Sequence, residues 1–391
     1  MSEQIIILIQ IILINIGHAL VHLLMLLFPV VAALVATSFN ENYSTLIMLT
    51  TGSWIAFGLG SLPAGLLADR WGKNLLMSVF FIGSGISCLL VALSQSYTQL
   101  ALSLLFLGGF SAIYHPVGIA ILAEGKPETM GRRLAFNGVW GNLGVAFSTI
   151  VAVGLAQLLS WKAAFYVPGV FSIIMGLIWI FWVSQKNSVR VSDTRPFNVF
   201  LDKDATWLTL FKLVVLFSLI IGFTFNAVIV SLPKLLDEQL NTIGESVSLI
   251  GFFAFTIYII AACAQLTVGH LIDRFQIKPI FITISISLLI SLIFVIFTTD
   301  FFLIISASVM MALVYSTLPI SDTLLARNIP SHIRSRAFAL IYLISFSASA
   351  LAIPAISIVH LRGGFTKLYI ILIMLTFVLA IAISRLPKHE R

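Results

Sequence analysis

The feature that most restricts this chain is a series of long apolar runs separated by short polar breaks. They fall at residues 5–37, 44–68, 74–95, 98–123, 132–159, 162–183, 208–236, 245–271, 279–298, 301–326, 334–359 and 365–385. A helix needs roughly 20 consecutive apolar residues to cross the hydrocarbon core of a bilayer. Lipid offers the backbone no hydrogen bonds, so only helices and closed barrels span it. Barrels show short alternating segments of about 10 residues, not continuous runs. The expected fold class is therefore an all-α membrane protein with 12 transmembrane helices. Charge content agrees. Only 9% of the residues are charged, against about 25% in soluble domains, too few to build a water-facing surface.

A polar segment carrying Lys186, Arg190, Asp193, Arg195, Asp202, Lys203 and Asp204 separates the sixth run from the seventh. The expected organisation is an N-terminal six-helix bundle (1–184), a cytoplasmic linker (185–206) and a C-terminal six-helix bundle (207–391). The breaks after runs 2, 4, 6, 8 and 10, together with the tail, hold 18 of the 22 basic residues. Only Lys162, Lys234, Arg362 and Lys367 lie in the opposite breaks. Basic residues stay on the cytoplasmic side, so both termini are expected there, in a multi-pass protein of the cell's inner membrane. These charges are spread over six separate loops, which argues against a nucleic-acid surface. The N-terminus lacks a basic region and a small-residue cleavage site, so its run reads as a retained first span. Cys88 and Cys263 both lie inside apolar runs without metal-type spacing and read as small buried hydrophobes.

The halves echo each other. Residues 60–77 read GSLPAGLLADRWGKNLLM and residues 264–281 read AQLTVGHLIDRFQIKPIF. At an offset of 204, Gly65 falls on Gly269 and Asp69-Arg70 on Asp273-Arg274. At an offset of 203, Pro116, Pro127 and Arg133 fall on Pro319, Pro330 and Arg336. Internal repeats of this kind build secondary transporters with a solute site near the midplane.

The stretch Gly65-Leu66-Leu67-Ala68-Asp69-Arg70-Trp71-Gly72-Lys73 resembles the loop motif between helices 2 and 3 of the major facilitator superfamily, G-x-L-x-D-R-x-G-R/K. Gly269 through Arg274 is a degraded second copy. Trp161, Lys162, Phe165 and Gly169 are similar to that family's start of helix 6. The resemblance implies the major facilitator fold. It also implies a gating role for Gly65, Asp69, Arg70, Gly72, Lys73, Asp273 and Arg274, in which the aspartate pairs with positive groups and helix ends nearby to hold one conformation closed. On the residues alone, the same stretch also reads as a tight turn with topogenic charges. More finely, His18, His22 and Tyr114-His115-Pro116-x-Gly118 resemble the fosmidomycin-resistance branch of efflux carriers. Helix 5 carries Gly138, Gly141 and Gly144 but no proline, so it departs from the family's antiporter motif.

Ionisable groups inside a bilayer are costly, about 2.5–3.5 kcal/mol at a helix centre on insertion scales, and mark function. Asp322 is the acid placed clearly within a span. Tyr315, Pro319 and Asp322 are spaced i, i+4, i+7 and share one face. Asp322 reads either as a proton or substrate site or as a structural hydrogen-bond or ion-pair partner, for instance of Arg327 or Arg336. Asn15, His18 and His22, at i, i+3, i+7, form a polar face that lipid cannot satisfy, and histidine titrates near neutral pH. His115 precedes Pro116, which removes a backbone donor and can kink the helix. Glu124, at the end of the same span, reads as an ion-pair partner of Arg132 or Arg133. Asn137, Asn226, Tyr258 and Gln265 are further candidates for facing a solute, as are Tyr342 and Ser345. His18 and His22 read as cavity groups or as helix-packing hydrogen-bond partners. A histidine pair at i, i+4 could also bind a metal, but no carboxylate or thiol obviously completes a site, so no metal is assigned, nor any cofactor.

The expected function is a secondary active transporter of a small organic solute working by alternating access, with proton-coupled efflux as the first reading. Proton-coupled uptake of a small metabolite and a non-transporting receptor are the alternatives. The implied partners are a small-molecule substrate, protons and the lipid bilayer, with the chain a monomer. The sequence contains no G-x-S-x-G, H-E-x-x-H or C-x-x-C, so an enzyme is not expected and no catalytic residue is assigned.

Overall fold

The computed structural model describes residues 3–123, 127–183, 205–240, 246–328 and 331–386. Every regular element among them is an α-helix: α1 (Glu3–Phe39), α2 (Tyr43–Leu49), α3 (Thr51–Trp71), α4 (Lys73–Leu93), α5 (Tyr97–Ser111), α6 (Tyr114–Ala123), α7 (Pro127–Leu158), α8 (Ala163–Trp182), α9 (Ala205–Gln239), α10 (Val247–Arg274), α11 (Ile277–Phe297), α12 (Asp300–Asn328) and α13 (Ser331–Ser384). The expected linker at 185–206 lies almost entirely outside the described residues, as does Glu124.

The thirteen helices make twelve spans. Span 2 is α2 followed by α3, which Thr50 joins while its hydroxyl donates to the Ile47 carbonyl at 2.7 Å. Span 4 is α5 followed by α6, interrupted at Ala112 and Ile113. Pro116 explains that interruption, because it has no N–H to give the Ala112 carbonyl. The eleventh and twelfth runs are two helices that meet inside the α13 range at a break, where Gly363 and Gly364 leave the helical backbone conformation. Gly364 sits at φ +66°, a conformation that L side chains rarely adopt.

The chain divides into two compact units, Met1–Asp193 and Thr194–Arg391. In the first, α1 packs on α7 and α4 on α8. In the second, α9 packs on α13 and α10 on α12. Both units hide polar side chains and display apolar ones. Asn15, His18, Asn137 and Asn226 are buried, whereas Leu66, Leu158, Phe181 and Phe297 are exposed. Such a distribution is costly in water and natural in lipid. The reading of both cysteines as buried is corrected for one of them: Cys88 is buried, but Cys263 lies on the exposed side of α10. A small apolar thiol fits a lipid-facing surface as readily as a core.

The loop motif is barely a loop. Asp69 and Arg70 form the last turn of α3, Lys73 begins α4, and Gly72 alone separates them. Gly72 has φ +97°, so glycine makes the one-residue turn possible. In the second copy Asp273 and Arg274 end α10, and two extended residues, Phe275 and Gln276, make the turn.

Candidate functional site

A buried polar cluster of the first unit is built by α1, α6 and α7. Residues one turn apart on α1 share a face, which places Asn15, His18 and His22 on the side toward α6 and α7. The His18 ring meets a backbone carbonyl, that of Asn137, at 2.7 Å from Nδ1. A carbonyl only accepts, so Nδ1 carries the proton and neutral His18 presents the lone pair of Nε2. The Nε2 of His22 lies 3.2 Å from that atom and therefore donates to it. Asn137 is the hub of the cluster. Its Nδ2 donates to Asn15 Oδ1 at 3.0 Å and to the Tyr114 hydroxyl at 2.9 Å. Tyr114 in turn donates to the Ile14 carbonyl at 2.9 Å.

His115, at the start of α6, completes a triangle of imidazoles. The centroid separations are 5.0 Å for His18–His22, 5.3 Å for His18–His115 and 5.4 Å for His22–His115. Tyr114 stacks on His18 at 5.0 Å, and Phe57 meets His115 edge-on at 5.7 Å. Gly141 makes room for this arrangement, since a Cβ there would sit 2.7 Å from His18 Nε2. Gly144, one turn on, lets the α7 backbone approach that of α1 at Ala19.

Asn15, His18, His22, His115 and Asn137 thus converge. Tyr114 and Gly141 were not assigned as site residues from sequence. The pairing of tyrosine with histidine at 114–115 was a signal for the first, whereas the role of Gly141 depends on which residue faces it. In the second unit the half-buried Asp322 carboxylate accepts a hydrogen bond from the Tyr342 hydroxyl of α13. Arg327 instead donates to the Ile272 carbonyl at 3.1 Å and lies 3.6 Å from Asp273. The ion pair read for Asp322 and Arg327 is therefore replaced by one between α12 and the second motif copy. The Arg336 side chain lies outside the described ones. Tyr315 is fully buried against Phe225 at 5.0 Å. Asn226 donates to the Ser349 carbonyl at 2.7 Å and Tyr258 to the Ile229 carbonyl at 2.8 Å, which are bonds that tie helices together. Gln265 is half-buried on α10.

Two units of paired helices, each with polar groups inside and apolar groups outside, define a multi-pass helical membrane protein. The family model described as Major Facilitator Superfamily matches residues 14–242 and 214–391. The chain belongs to this superfamily, a family of transporters. It is 29% identical over 173 residues to the nitrate/nitrite transporter NrtP of Picosynechococcus sp., a match covering 36% of this chain and 32% of that protein. It is 26% identical over 204 residues to the nitrite extrusion protein of Bacillus subtilis, covering half of each. The chain thus spans about a third to a half of these curated relatives. Among solved structures, a bacterial homologue of the human lysosomal transporter Spinster, inward-facing and unoccupied, superposes with a TM-score of 0.81 at 15% identity, covering 98% of this chain and 97% of that one. The D-xylose–proton symporter superposes with a TM-score of 0.78 at 15% identity, covering 98% of each. At these identities the structures show the fold.

Proposed function

We propose that the chain is a proton-coupled carrier that exports a small, neutral or weakly ionic organic solute across the inner membrane. It works as a monomer with both termini on the cytoplasmic side. The observation that carries the reading is Asp322, an acid held inside α12 with a tyrosine hydroxyl as its hydrogen-bond partner. A carboxylate there takes up a proton from one side and releases it when the carrier exposes it to the other. Coupling requires that protonation favour one state over the other, because a ligand bound equally by both drives nothing. The Asn15–His18–His22–His115–Asn137 cluster supplies polar contacts for the solute or a second proton site. The resemblance of His18, His22 and Tyr114 through Gly118 to fosmidomycin-resistance carriers supports export, and the 18-to-4 division of basic residues supports the orientation. The turns after Asp69-Arg70 and Asp273-Arg274 act as gates, supported by the pairing of Asp273 with Arg327.

The test is reconstitution in liposomes with an imposed proton gradient and a solute panel drawn from the relatives: nitrate, nitrite, L-galactonate, 4-methylmuconolactone, 4-hydroxybenzoate and tetracycline. Gradient-driven, saturable flux that Asp322→Asn abolishes is the expected result. Full gradient-driven flux in that variant removes Asp322 from the coupling. Movement of solute in the same direction as the proton replaces export by uptake.

A further inference from the structure

We infer that His18, His22 and His115 form a binding site for a divalent first-row transition-metal ion of the Zn²⁺ class. The inference needs only the first unit and holds whichever solute the carrier moves.

The geometry supplies four arguments. First, each imidazole offers one ligand nitrogen, and the three nitrogens lie within 4.8 Å of one another. A tetrahedral Zn²⁺ with Zn–N bonds of 2.0–2.1 Å sets its ligand nitrogens about 3.3–3.4 Å apart. The His18 and His22 Nε2 atoms are already 3.2 Å apart. The widest separation needs to close by about 1.5 Å, and His115 stands in the first turn of α6, beside the interrupted part of span 4.

Second, the ligand tautomer of His18 is set. Metal-binding histidines donate their other ring N–H to a carbonyl or carboxylate, which orients the ring and makes the ligand nitrogen more basic. His18 does this through Nδ1 to the Asn137 carbonyl. His22 donates from Nε2 in the cluster as it stands and would bind by moving that proton to Nδ1, so the ion replaces the His22-to-His18 hydrogen bond.

Third, Gly141 lets α7 pack against the face of the His18 ring, since a Cβ there would sit 2.7 Å from Nε2 and 2.8 Å from Cε1, and this contact holds the ring in place. Fourth, the rings that surround the cluster, Tyr114 and Phe57, are aromatic, and such walls exclude competing water. Among the described residues the group holds imidazoles alone, and imidazole favours zinc, copper, iron and nickel over magnesium and calcium. Three protein ligands leave a fourth position open. A proton and the ion would compete for the same lone pairs.

The test uses the full-length protein, stripped with a chelator in detergent and titrated with Co²⁺, whose visible spectrum reports its ligands. One Co²⁺ per chain is expected, with the absorption of a low-coordinate nitrogen site, displaced by Zn²⁺. His22→Ala and His115→Gln should lose it, and Gly141→Ala should weaken it by roughly tenfold or more by displacing the His18 ring from its ligand orientation. His270→Ala, on the exposed side of α10, should keep it. Elution as a single species shows that each variant folds. No stoichiometric Co²⁺ on the wild-type chain, or equal binding in His22→Ala and His115→Gln, overturns the site. Solute flux through the stripped wild-type protein is measured separately, so that a failed carrier reading and a failed metal site give different results.

Discussion

The two units share one scaffold and fill it with different chemistry. In the first, α7 approaches α1 closely because Gly144 faces the Ala19 backbone. In the second, α9 approaches α13 closely because Gly222 faces Ser345, where a Cβ would sit 2.5 Å from its carbonyl oxygen. Each pair is stitched by a buried asparagine: Asn137 to Asn15, and Asn226 to Ser349. Beyond that the units diverge. Three imidazoles meet in the first, while the second presents a carboxylate and a phenol, Asp322 and Tyr342. The small residues and amides answer to the bilayer, which demands close backbones and satisfied polar atoms from both halves. The titratable groups must be satisfied as well, but each half does so with different partners, so their identities differ between the units.

The comparison breaks first at the titratable groups. Asp322→Asn should lower gradient-driven flux by about 100-fold or more, the size of contribution made by a positioned proton-transfer group. His22→Ala should leave proton-driven accumulation measurable. Equal losses in both variants would erase the assignment of separate roles.

The shared scaffold is tested by Gly144→Ala and Gly222→Ala. Each forces a Cβ into a neighbouring backbone and should cost about 1–3 kcal/mol, seen as a lower unfolding midpoint in detergent. A cost at one position alone would deny that the contacts are equivalent. The turns should differ. Gly72→Ala should destabilise by about 1 kcal/mol because of its positive φ, while Gln276→Ala should stay within about 0.5 kcal/mol. Equal midpoints for these two variants would contradict the account of the one-residue turn. A small effect is expected for Asn226→Ala, about 0.6 kcal/mol, the average for such bonds within membranes. Asn137→Ala should cost more, because its Nδ2 donates both to Asn15 and to Tyr114.

The twelve spans were legible in the sequence because lipid imposes a length and a polarity that no single residue can hide. Asn15, His18 and His22 were legible as one face because a helix repeats locally. Partnerships across the chain were not. Nothing in the local pattern around His115 says that it meets His18 and His22, nearly a hundred residues away. Arg327 lies one turn and a residue beyond Asp322, which made the pair plausible, yet packing of α12 on α10 turns it to Asp273. The break between the eleventh and twelfth spans was legible because two glycines, Gly363 and Gly364, part the apolar runs there, and both leave the helical conformation.

The contrast between the cysteines has a practical consequence. Cys263 faces outward from the second unit and Cys88 is sealed within the first. A maleimide dye that dissolves in the acyl chains would therefore attach at a single native position. A quencher carried on lipid tails would then report the depth of α10 in the bilayer, with no engineered thiol and no cysteine removed.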